Sequence, residues 1–158
     1  MAAPAMSQLI CSMALVALIL VLPSFFAMER NSLTEEMAKT ELTEISDYTS
    51  NTLENLFLLA KSTSSEKVTI TKELVYLPLR VEGSAYTLRL TFDQGTASRV
   101  TAFLNDKPWV ESSSWLAPGM GLTAEILLEI NDNHVVAGCE KQVTGEGNVF
   151  TVWIEEGA

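Results

Sequence analysis

Twenty residues without a charge, Leu9 to Met28 (LICSMALVALILVLPSFFAM), restrict this chain more than any other stretch. At about 1.5 Å per residue, a helix of that length crosses a hydrocarbon core of about 30 Å. It is apolar on every face, so only lipid or other apolar helices can cover it without a penalty. Of the first 28 residues 22 are apolar, and the first charged side chain is Glu29. The mean hydropathy of +0.21 and the apolar content of 47% over 158 residues therefore reflect one end of the chain. A cleaved secretory signal fits poorly. No basic residue precedes the run, and bulky Phe25 stands third from the end of the small-residue site after Ala27. A lipoprotein signal at Cys11 is opposed by Ile10 in front of it and by the lack of a preceding apolar stretch. The expectation is an anchor or assembly helix.

Pro23 lies inside the run. It deletes a backbone donor and crowds the carbonyl four residues earlier, so a kink or a locally melted turn is expected there. Two roles stay open for it: a tolerated membrane-helix proline, or a flex point used when the helix leaves lipid and packs with protein.

Beyond Met28 the apolar positions Leu33, Met37, Leu42, Ile45, Leu53, Leu56 and Leu59 recur mostly at helical spacing, and no Gly or Pro interrupts residues 29–66. Ser62 to Ser65 supplies a polar break. One helix is expected from about residue 7 to about residue 61, hydrophobic first and amphipathic second. The chain then divides into an anchor (transmembrane) or assembly helix, 1–62, and a head domain, 63–158.

From Lys67 onward the period shortens toward two. Tyr86, Leu88, Leu90 and Phe92 alternate with Thr87, Arg89 and Thr91; Leu122, Ala124, Ile126, Leu128 and Ile130 alternate with Thr123, Glu125 and Glu129; Val149–Ile154 closes the chain as an apolar strand. Further strands are expected at Val68–Leu77, Arg99–Leu104, Pro108–Glu111 and His134–Cys139. Between them lie turn signals such as Glu82-Gly83-Ser84, Asp93-Gln94-Gly95, Asn131-Asp132-Asn133 and Thr144-Gly145-Glu146-Gly147. The fold class expected is α+β: a long N-terminal helix followed by an antiparallel, Ig-like β-sandwich head.

Acidic residues outnumber basic ones 20 to 10, and both polar parts of the chain are acidic, which argues against contact with nucleic acid or an anionic membrane surface. Catalytic signatures are missing. His134, the single histidine, sits beside a turn and reads as a surface or partly buried turn residue, with no nucleophile elbow to serve. Asn131-Asp132-Asn133 lacks the spaced acids and closing Glu of a calcium loop and reads as a hairpin turn. Cys11 and Cys139 are expected as two packed, free thiols. Neither a cofactor nor a metal is expected, and the chain is not read as an enzyme. Trp109 and Trp115 flank the loop Glu111–Ser114 as core residues, hairpin-closing residues or contacts to neighbouring copies, and Trp153 is expected in the core.

The order of a short uncharged start, about twenty apolar residues containing Pro23, an amphipathic continuation and an all-β head resembles the type IV pilin superfamily. The β head makes it look more like an archaeal pilin or archaellin than a bacterial pilin. In residues the resemblance rests on Ser7–Met28, with support from the Leu77-Pro78, Gly83 and Tyr86 opening of the head. It implies a membrane-stored subunit, handled by a prepilin peptidase and a pilus assembly machinery, that polymerises with itself into a cell-surface filament with heads outward. The residues expected to pack in the filament core are Leu9, Ile10, Met13, Val16, Leu18, Ile19, Leu20, Leu22, Phe25 and Phe26. Two departures stand out: no Lys or Arg precedes the apolar run, and Ala5 stands where bacterial pilins carry an acid. The rival reading is a monomeric, signal-anchored surface protein whose head binds a partner.

Overall fold

The computed structural model describes residues 3–93, 97–121, 124–131, 134–145 and 147–157. Among these residues a single helix, α1, spans Ala3–Ser62, followed by seven strands: β1 Lys67–Glu73, β2 Tyr86–Asp93, β3 Ala97–Leu104, β4 Glu111–Trp115, β5 Ile126–Glu129, β6 Val135–Thr144 and β7 Gly147–Glu156. Among the described residues all pairings between these strands are antiparallel and form two sheets, one ordered β1-β6-β7 and the other β4-β3-β2-β5. The protein is thus α+β, with a long N-terminal helix ahead of antiparallel sheets.

The helix runs through Pro23 without interruption, so the melted turn expected there is absent. Proline offers no N–H to the carbonyl of Ile19, while the Ser24 hydroxyl donates to the neighbouring Leu20 carbonyl at 3.4 Å.

The chain divides into two compact units, Met1–Met37 and Ala38–Ala158, and this division does not coincide with the expected one at residue 62. The reason is burial. Ala38, Leu42, Ile45, Leu53, Leu56, Phe57 and Ala60 of α1 belong to the same buried cluster as Leu88, Leu90, Val100 and Ala102 of one sheet and Ala137, Cys139, Val152 and Ile154 of the other. The helix therefore supplies core to the head. Leu33, Met37 and Leu59, which share the helical spacing, are exposed. The buried stripe of α1 includes instead the polar residues Ser46, Thr49, Ser50 and Thr52. Hydroxyls survive there because they are bonded: Ser46 Oγ to the Leu42 carbonyl at 3.0 Å, Thr49 Oγ1 to that of Ile45 at 2.9 Å, and Ser50 Oγ to that of Trp115 at 2.9 Å.

Strand positions follow the alternation where it is strong. In β2, Tyr86, Leu88 and Leu90 are wholly buried. Elsewhere the expected bounds are corrected. The strand expected at Val68–Leu77 ends at Glu73; a turn follows in which the Leu77 N–H reaches the Leu74 carbonyl at 3.4 Å, just before Pro78. The strand expected at Pro108–Glu111 is instead Glu111–Trp115, so the supposed serine loop is β4. It lies against α1, with Ser112 Oγ 2.8 Å from Thr43 Oγ1, and this contact overrides the weak strand preference of serine. Of the Leu122–Ile130 alternation, Leu122 and Thr123 lie outside the described residues and β5 begins at Ile126. The strand expected at His134–Cys139 extends to Thr144. Gln94-Gly95, Asp132-Asn133 and Glu146 of the turn signals also lie outside the described residues.

The turn Val81-Glu82-Gly83-Ser84 closes with two hydrogen bonds, 3.0 and 2.9 Å, and carries positive φ at both Glu82 (47°) and Gly83 (82°). Glycine suits the second of these positions because a Cβ is strained there.

Candidate functional site

The described residues of the first compact unit present an exposed apolar helix surface. Ile10, Met13, Val16, Leu18, Ile19, Leu20, Leu22, Phe25 and Phe26 are 42–69% exposed. The side chain of Leu9 lies outside the described residues. Leu15, Val21 and Met28 are exposed in the same way and belong with them, since the segment has no polar face to tell them apart. The Phe25 and Phe26 rings meet edge to face with centroids 6.4 Å apart. Around the small Ala17 the surface is grooved: one groove of about 330 Å³ runs between Ser12, Met13, Val16, Ala17 and Leu20, another of about 440 Å³ along Ala14, Ala17, Leu18, Val21 and Leu22. Large side chains flanking small ones create the ridges and grooves by which helices interlock. The helix is long and apolar enough to cross a membrane, with a mean hydropathy of 2.5 over its best window.

His134 is exposed, with Nδ1 2.9 Å from Glu73 Oε1 on the neighbouring strand. Of the turn considered for calcium, Asn131 is exposed, and Asp132 and Asn133 lie outside the described residues. The two thiols differ, which corrects the expectation that both are packed. Cys139 is buried, and desolvation pushes its pKa up to about 11, whereas Cys11 is exposed. Trp109 and Trp115 are both exposed. Trp153 is not a core residue: Phe150, Val152 and Ile154 point inward from β7, and Trp153 lies half-buried on the opposite face, its ring over Gly138 of β6.

One concave feature draws only Ile45 from the residues that periodicity singled out. Glu41, Glu44, Ile45 and Tyr48 of α1 face Tyr76 and Pro78 of the segment after β1 across a cleft of about 350 Å³. The Tyr48 and Tyr76 rings stand edge to face at 78°, centroids 5.8 Å apart. Glu41 is held above the ordinary carboxylate range by burial first and then by the nearby charges of Glu82 and Glu44; a backbone N–H of Glu82 acts in the opposite sense. Beneath, the buried Tyr86 hydroxyl donates to the Pro78 carbonyl at 2.8 Å, and burial raises its pKa. Nothing local in the sequence links Tyr48 with Tyr76.

No family model, no curated protein and no solved structure matches this chain.

Proposed function

We propose that this protein is the structural subunit of an extracellular helical filament of the type IV pilus kind, stored in the membrane and polymerised through residues 9–28. The reading is carried by one observation: an uncharged helical segment, long enough to cross a membrane, whose large side chains are exposed on all faces. Each such side chain gains roughly 1.5–3 kcal/mol when it is covered. Lipid does this before assembly. In a bundle of identical helices the ridges around Ala17 interlock with those of a neighbour, and a heterologous contact that does not close repeats into a fibre. Processing by a prepilin peptidase, an archaeal affinity and an Ig-like packing of the two sheets extend this reading by resemblance. Filament formation requires no active site, so the subunit is read as non-enzymatic, with no cofactor.

Electron microscopy of the purified full chain after detergent removal tests the reading. Filaments of uniform width are expected. Dispersed, detergent-dependent particles that never polymerise would instead identify a monomeric anchored surface protein.

A further inference from the structure

We propose that the cleft between α1 and the segment after β1 is a binding site for an organic cation, an alkylammonium or guanidinium group on an aliphatic stem. Its six lining residues combine what such a group needs. Glu41 and Glu44 supply negative charge, Tyr48 and Tyr76 form an aromatic corner, and Ile45 and Pro78 give apolar walls for the stem. A cation within about 6 Å of an aromatic ring centre is attracted to its face, and more strongly once water is displaced. None of the six is basic, and neither Glu41 nor Glu44 takes part in a salt bridge among the described residues. Glu82 adds a third acid near Glu41. The upward displacement of Glu41 agrees with the geometry: the cleft concentrates negative charge that an incoming cation would neutralise. An anion or a purely apolar ligand would meet the two carboxylates without compensation. The site does not depend on polymerisation, since every lining residue belongs to the compact unit Ala38–Ala158.

The chain has three tyrosines, so tyrosine-selective isotope labelling of the full chain in detergent micelles gives a spectrum with few signals. Titration with n-butylammonium is expected to shift the Tyr48 and Tyr76 ring signals saturably. The neutral n-butanol should not do so, and Glu41→Gln/Glu44→Gln should weaken binding at least tenfold while the unbound spectrum stays folded. Equal shifts with butanol, no saturable shift, or unchanged binding in the double variant would overturn the proposal. A photo-crosslinker in place of Tyr76 separates the two sources of the same chemistry. Crosslinks to a Lys- or Arg-bearing peptide of a second copy assign the site to subunit contact; a butylammonium-sensitive site without such crosslinks assigns it to a free cation.

Discussion

The ammonium group of Lys141 donates to the carbonyl of Thr63 at 2.6 Å, although Lys141 sits on the inward face of β6 and is only 5% exposed. Thr63 follows directly on the last residue of α1, where backbone carbonyls lack helical partners and the helix dipole favours a positive charge. A buried lysine thus fastens the end of the helix to the three-stranded sheet. Its four-carbon stem also fills space in the head.

Lys141→Met keeps much of that stem and removes the donor. It is expected to destabilise the head by about 1–3 kcal/mol, the cost of a buried carbonyl left without a charged partner. Chemical denaturation followed by circular dichroism measures this, and an unchanged midpoint would mean that water replaces the ammonium without loss.

Because Leu42, Ile45, Leu53, Leu56 and Phe57 are buried among the strands, a fragment 65–158 is expected to lack a cooperative unfolding transition, whereas 38–158 should have one. Five large side chains at roughly 1.5–3 kcal/mol each are comparable to the whole stability of an ordinary domain, about 5–15 kcal/mol. Thermal unfolding of the two fragments decides it. Cooperative melting of 65–158 would show that the strands fold without the helix.

Val16→Asp or Leu20→Lys should abolish filament formation and leave the head folded, since a charge enclosed by apolar helices costs several kcal/mol without a partner. Filament yield by sedimentation and head structure by near-ultraviolet circular dichroism are read on the same sample. Normal filaments from either variant would contradict assembly through this segment.

A Cβ on Gly138 would stand 2.3 Å from the Trp153 ring, closer than any contact can be. Gly138→Ala should therefore displace Trp153, costing about 1–3 kcal/mol and altering tryptophan fluorescence. Adding Trp153→Leu should recover part of the loss. If the double variant is no better than the single one, the clash lies with the backbone.

Two carboxylates should pull the pH dependence in opposite directions. Glu41, raised by burial above its ordinary 4.5, binds its proton more tightly in the folded state, so its contribution is full at lower pH and is lost as pH rises through the raised value. Glu140 is lowered by hydrogen bonds from Gln142 and Lys67, and its contribution is present above 4.5 and lost as pH falls. Glu41→Gln should thus raise stability most near neutrality, and Glu140→Gln should lower it there. Denaturation midpoints from pH 3 to pH 7 give the signs, and the reverse order would refute the assignment.

Features that depend only on neighbours a few residues away are legible without the fold. Charge-free Leu9–Met28 makes an apolar helix whatever surrounds it, and the alternation of Tyr86, Leu88 and Leu90 with Thr87 and Arg89 gives a strand with one buried face. The other features depend on surfaces far apart in the chain. Ser46, Thr49, Ser50 and Thr52 look like a polar helix face, yet they are buried in the packed unit, with backbone carbonyls accepting the hydroxyls of Ser46, Thr49 and Ser50. Serine-rich Glu111–Trp115 is a strand only because α1 and β3 flank it. Tyr48 and Tyr76 meet in a cleft across 28 positions of sequence, where no periodicity reaches. Local pattern reports the preference of a segment; which surfaces exclude water together is decided only when distant segments pack.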